Sequence, residues 1–263
     1  VRDTVFSADS SHLVSVGRDM TTKLTEVATQ RFVDNVSSIT PGALKGGLQT
    51  VARHPTRDEI VIGGSDGVPR VYRMQRQVVR VIGDDSNLIR ELPAMKGRIW
   101  SLATSADGKR IAAGSSLDGA GEVHVYGYEF DTSLPENIKK IMAKVVSTQT
   151  PDEKAELKKY LTTGVQLLAQ AEIATSAVYT VAFRPDGQVL AAAGADGTVR
   201  LIDPASGKVV KEFSPAPVGT VARSASEGPA VAAESSLACR ATVDFIRDVN
   251  PVLSRLGCNA GTC

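Results

Sequence analysis

Four segments of this chain follow one template, and that repetition limits the fold more than any other feature. They read "VFSADSSHLVSVGRDMTTKLTEV", "ARHPTRDEIVIGGSDGVPRVYRM", "ATSADGKRIAAGSSLDGAGEVHVY" and "AFRPDGQVLAAAGADGTVRLIDP". Each is an apolar β stretch, a polar turn, a strand rich in Ala, Val and Gly, a second turn and an alternating strand. The turns carry their own cause: Asp66-Gly67, Asp107-Gly108, Asp186-Gly187 and Asp196-Gly197 supply the positive φ that tight hairpins need. Gly17 and Gly64, which mark the same place in the first two copies, stand 47 positions apart. A four-stranded unit repeats at roughly 40 to 45 residues.

The pattern predicts an all-β chain in which strands meander and each repeat is one four-stranded sheet, a blade. The small residues of "LAAAGA" suit a strand placed where neighbouring sheets approach closely. Over residues 1 to 213 the repeats resemble the WD-repeat (WD40-like) β-propeller family. Its Trp-Asp pair is replaced here by Leu24-Thr25, Tyr72-Arg73, Tyr126-Gly127 and Ile202-Asp203, and its upstream Gly-His pair is absent. Its turn acid is kept at Asp19, Asp66 and Asp196, and the resemblance implies that this acid anchors hydrogen bonds inside each blade. It also implies a rigid platform for protein partners, with four blades visible out of a larger, seven-bladed propeller.

Two interruptions break the repeat. "IGDDSNLIRELPAMKG" lengthens the link to the outer strand of the second blade, placed near residues 87 to 92. After the third blade, Leu134, Ile138, Ile141, Met142, Val145 and Val146 form one helical stripe, and Thr150, Pro151 and Glu153 write a capping box that opens a second helix closed at Gly164. This predicts a helical hairpin over about residues 135 to 163, packed on itself or on a blade, before "VQLLAQAEI" returns as the outer strand.

Residues 214 to 240, rich in Ala, Ser, Pro and Val, read as a linker. Residues 241 to 263 regain a helical pattern through Phe245, Ile246, Val249, Val252, Leu253 and Leu256, as the truncated start of another domain. The chain ends on Cys258 and Cys263. Covalent haem attachment needs two thiols followed by an axial His, most often as C-x-x-C-H; the spacing here is wider. The residues alone leave haem, a disulfide and a non-haem metal open. "DFIRDVNPVLSRLGCNAGTC" resembles the opening of planctomycete cytochrome-c-type domains, where an "RDV.PVLS" helix runs into a cysteine motif completed by His-Gly. That resemblance implies haem c on Cys258 and Cys263, an electron-transfer module, and a periplasmic or cell-envelope protein.

Few residues in the body suggest a reaction. His12, His54 and His124 fall in different repeats and read as surface or turn residues, and there is no G-x-S-x-G elbow, phosphate-cradling glycine loop or H-E-x-x-H. Trp100 reads as core. Arg70, Arg73, Arg76 and Arg80 crowd one stretch, enough for a local basic patch, although a solvated edge is the commoner meaning of such a run. The net charge of +1 offers no global field to recruit nucleic acid or an anionic membrane, and no apolar run reaches the ~18 to 20 residues of a membrane span. The sequence therefore points to a non-catalytic interaction scaffold with unknown protein partners. A propeller enzyme of quinoprotein or hydrolase type, and a purely structural domain with inert cysteines, stand as alternatives.

Overall fold

The computed structural model describes residues 1–39, 46–81 and 83–215, all within the first of the chain's two compact units, Val1–Val218. The linker, the C-terminal helical segment and Cys239, Cys258 and Cys263 lie outside the described residues. Each repeat forms one four-stranded antiparallel sheet with its strands in chain order. Blade 1 holds β1 (Asp3–Phe6), β2 (His12–Val16), β3 (Thr22–Glu26) and β4 (Phe32–Asn35); blade 2 holds β5 (Leu48–Arg53), β6 (Glu59–Gly64), β7 (Arg70–Arg73) and β8 (Leu88–Glu91). Blade 3 holds β9 (Arg98–Thr104), β10 (Arg110–Leu117), β11 (Ala120–Gly127) and β12 (Leu167–Ile173), and blade 4 holds β13 (Val178–Phe183), β14 (Leu190–Gly194), β15 (Val199–Ile202) and β16 (Val209–Phe213). The chain is mostly β, and four such sheets are what WD40 propeller blades require.

Alternation along the strands buries both faces of the inner sheets, because blades stack face to face. Val14, Val16 and Leu24 of blade 1 pack on Val51, Ile60, Ile62 and Tyr72 of blade 2. On its other face, blade 2 sets Ala52, Val61 and Val71 against Ile99, Leu102, Ile111 and Tyr126 of blade 3. Blade 3 then sets Ala112, Val123 and Val125 against Val178, Val181, Leu190 and Ile202 of blade 4. The small residues of the second strands are needed at these layers. A Cβ on Gly114 would come within 2.7 Å of Val178 Cγ1, and one on Gly63 within 2.8 Å of Ile99 Cγ2.

The stack is also stitched by a repeated hydrogen bond. The Val51 amide donates to Asp3 Oδ2 (2.9 Å), the Leu102 amide to Thr50 Oγ1 (3.3 Å) and the Val181 amide to Ser101 Oγ (3.1 Å). Asp3, Thr50 and Ser101 occupy one register position, opposite Val16, Gly63 and Gly114. Each innermost strand thus hands one polar side chain to the backbone of the next blade, satisfying an amide that stacking would otherwise strand.

The helical insertion lies between β11 and β12. It comprises α1 (Glu136–Met142), a 3-10 turn (Val146–Thr148) and α2 (Pro151–Thr162). Thr150 caps α2: the Glu153 amide donates to Thr150 Oγ1 (3.2 Å) while the Thr150 amide donates to Glu153 Oε2 (2.9 Å). Ile138, Ile141 and Met142 are buried with Tyr160 and with Val78 of blade 2, so the hairpin of blade 3 packs back onto its neighbour. Val145 and Val146 leave the predicted stripe. The helix is capped at Ala143, and both valines lie beyond it, partly exposed.

Candidate functional site

The three turn acids occupy equivalent positions with similar local bonds. Asp19, Asp66 and Asp196 accept from the amide two residues on, at Thr21 (3.4 Å), Val68 (3.2 Å) and Thr198 (3.1 Å). Each also pairs with a cation four residues on, on the third strand of its blade: Lys23 (3.4 Å), Arg70 (2.6 Å) and Arg200 (2.5 Å). The Arg200 guanidinium holds the Asp196 carboxyl well below the usual carboxylate range. Blade 3 inverts this pair. Its turn residue Asp118 takes a positive φ, and the position four residues on is the buried acid Glu122. The cation comes from the loop before β9: Lys96 Nζ lies 3.1 Å from Glu122 Oε1 and 3.2 Å from Glu172 Oε1.

The arginine crowd is not a basic patch. Arg70 pairs with Asp66 and Glu91, Arg76 with Asp34 and Asp84, and Arg80 with Asp34, so the nearby Asp66 and Asp84 and the distant Asp34 and Glu91 together consume the charge. Arg73 is buried and holds the insertion instead. Its Nη2 donates to the Thr132 carbonyl and to the Tyr160 hydroxyl, the latter at 3.1 Å. Arg90, also buried, donates to the carbonyls of Thr163 and Asp131, both at 2.8 Å, with its guanidinium over the rings of Tyr160 and Phe130.

Two histidines are buried: His54, in the turn between β5 and β6, and His124, on β11. His54 Nε2 donates to the Gly108 carbonyl (3.2 Å), while its Nδ1 accepts from the amides of Thr56 (3.2 Å) and Arg57 (3.0 Å), tying blade 2 to the Asp107-Gly108 turn of blade 3. Burial lowers its pKa. His124 is enclosed in β11 beside Tyr126 and Glu122, and burial lowers its pKa too. Among the described residues no group of three or more His, Cys, Asp or Glu side chains is arranged to hold a metal ion.

Trp100 departs from its expected place in the core. The register of β9 against β10 shifts between Ser101 and Ile99, leaving Trp100 as the bulged residue, and β13 bulges in the same way at Tyr179. A bulge turns the extra side chain off the regular alternation. Trp100 and Tyr179 meet edge to face across blades 3 and 4, with ring centroids 5.5 Å apart and planes at 78°, and Tyr179 is half exposed. The exposed Arg98 guanidinium lies 5.2 Å from the Trp100 ring centre. Among the described residues no acid pairs with Arg98. Gln49 fills the equivalent bulge of blade 2. Sequence reasoning missed this aromatic platform because a one-residue bulge leaves no mark in a period-2 pattern; the lone Trp beside an exposed Arg was the available signal.

Two segments match known family models. Residues 86–120 match the WD domain, G-beta repeat, and residues 153–222 match the anaphase-promoting complex subunit 4 WD40 domain. Both segments are similar to WD40 repeats. The first match joins β8 to β9 and β10, so the WD40 unit is offset from the blade, starting on one blade's outer strand and continuing into the next blade. A comparison with curated proteins finds no match. WD40 domains mediate protein interactions, and among the described residues no helix is long and apolar enough to cross a membrane.

Proposed function

We propose that the WD40 blades are a non-catalytic scaffold that binds a protein partner through the Arg98, Trp100 and Tyr179 platform on the inner strands of blades 3 and 4. One observation carries this reading: the half-exposed Tyr179 ring against the partly buried Trp100, and an exposed Arg98 with no acidic partner among the described residues, stand together on a stacked, hydrogen-bonded support. Trp, Tyr and Arg are the side chains that dominate binding energy at interfaces. The test is to isolate partners from the native host with the full-length protein, then titrate the tightest against variants. Trp100→Ala and Tyr179→Ala should each weaken it at least ~10-fold while the melting temperature stays near that of the wild type. Unchanged affinity would move the site elsewhere.

We further propose that the scaffold is joined to a c-type cytochrome module in a bacterial envelope protein. The support is the C-terminal sequence. Two thiols are the donor set for covalent attachment, so Cys258 and Cys263 would hold the haem through thioethers, and the group would supply one-electron transfer. Mass spectrometry of the peptide holding Cys258 and Cys263 in the full-length protein tests this. A haem adduct supports the module, and a disulfide or free thiols would leave an interaction domain with inert cysteines.

A further inference from the structure

Blade 3 puts a histidine where the blades on either side put an arginine. The stitched amides fix the equivalence: Val51, Leu102 and Val181 lie opposite Ile62, Ala113 and Ala192, which lie opposite Arg70, His124 and Arg200. Each arginine joins two carboxylates, Asp66 (2.6 Å) and Glu91 (2.9 Å) in blade 2, and Asp196 (2.5 Å) and Glu212 (3.1 Å) in blade 4. His124 cannot do this. The Tyr126 hydroxyl donates to the Pro93 carbonyl (2.8 Å), so its 3.0 Å contact with His124 Nδ1 takes the proton from the ring. Nε2 then turns a lone pair toward Glu122 Oε2, 3.4 Å away, and burial keeps the ring neutral by lowering its pKa.

The acids beside His124 are therefore short of positive charge. Glu122 and Glu172 stand directly opposite each other on β11 and β12, where like charges repel. Among the described residues Lys96 alone bridges them, and its side chain is 67% exposed, so solvent screens the bridge. Glu122 is buried, and its Oε1 has no hydrogen-bond donor among the described residues although Lys96 Nζ lies 3.1 Å away. Glu122 and Glu172 line a cavity of about 180 Å³ with Leu117, Ala120, Gly121 and Ala174. A single water needs roughly 10–15 Å³, so the cavity has room for a side chain.

We infer that this cavity receives an arginine side chain of a protein partner, whose guanidinium donates to Glu122 Oε1 and to Glu172 while its stem lies on Leu117, Ala120 and Ala174. Charge selects the occupant, since two carboxylates against one ammonium leave a negative charge unmatched in the cavity. The planar fork is the group that already spans two carboxylates in blades 2 and 4. None of these residues belongs to the aromatic platform, so either reading can fail alone.

The test follows the isotopically labelled full chain by NMR during titration with N-acetyl-arginine methylamide and, as the uncharged isostere, with its citrulline analogue. The amides of Gly121, Glu122 and Glu172 should shift saturably with the arginine probe, and the citrulline probe should bind at least ~10-fold more weakly. Lys96→Ala, which removes the competing ammonium, should tighten the arginine probe ~3-fold or more, whereas Glu122→Gln should weaken it ~10-fold. Glu172→Gln, at a side chain 64% exposed, should weaken it ~3-fold with the melting temperature unchanged, so that loss reads the site and not the fold. Trp100→Ala should leave the titration as it is. Absent shifts, equal affinity for the two probes, or loss of binding in Trp100→Ala would overturn the inference. So would a dimer in sedimentation that Glu122→Gln converts to monomer, which would assign the cavity to a second copy.

Discussion

Arg90 and Arg98 stand eight positions apart, both stacked on aromatic rings, and do opposite things. Arg90 is 4% exposed, and its guanidinium is held by carbonyl oxygens as well as by the rings of Tyr160 and Phe130. Arg98 is exposed and touches Trp100 with no acidic partner among the described residues. A buried cation is tolerated best when its donors are satisfied, as those of Arg90 are by three carbonyls, and Arg90 locks the helical insertion onto blade 2 with Arg73 beside it. An exposed cation over a ring keeps its donors for something else. The comparison separates where this molecule uses arginine to hold its fold from where it offers arginine to a partner.

The same substitution at the two sites should separate them further. Arg90→Ala leaves three carbonyls, of Ile89, Asp131 and Thr163, without their charged donor and opens a gap beneath Tyr160, so chemical denaturation should show a loss of about 3 kcal/mol. A small loss there would mean that the insertion is held by its apolar contacts alone. Ser101→Ala, which orphans the Val181 amide between stacked blades, should cost about 1–2 kcal/mol by the same measurement. Thr180→Ala, at the equivalent but exposed position of blade 4, should cost nothing measurable.

The pocket beneath the insertion supplies a pH test. Asp85 accepts from the Tyr72 hydroxyl (2.9 Å) and the Ser38 amide (2.8 Å), and burial pushes its pKa up to about 7. Between its ordinary carboxylate value and that point the folded state binds more protons than the unfolded one, so stability falls as pH rises toward and through 7. Melting followed between pH 6 and 8 should show a decline in the wild type that Asp85→Asn flattens; parallel curves would remove Asp85 as the cause. Arg98→Ala completes the series, with a stability change within about 0.5 kcal/mol.

Local chemistry was legible in the sequence wherever a few neighbouring residues decide it. Asp-Gly turns, the Thr150 capping box and the strand alternation all act over four or five positions, and so did the outer strand of blade 2, found at Leu88–Glu91 within the predicted stretch. What escaped depends on residues far apart in the chain. The arginine crowd read as a patch because Asp34 and Glu91, which neutralise it, arrive through the fold. His54 does sit in a turn, but its burial was hidden because its carbonyl partner, Gly108, belongs to the next blade. Trp100 read as core because alternation cannot anticipate a bulge. The acid at Glu122 broke the turn pattern of its blade for a reason visible only once Lys96 is beside it.

Hydrogen–deuterium exchange at single-residue resolution tests the stitched stack most directly, because the amides of Val51, Leu102 and Val181 each donate to a side chain of the preceding blade. All three amides should fall in the slowest-exchanging class, and Ser101→Ala should accelerate Val181 while leaving Val51 unchanged. Rapid exchange at Leu102 and Val181 in the wild-type chain would contradict the account, since it would mean that the sheets are not joined blade to blade through those bonds.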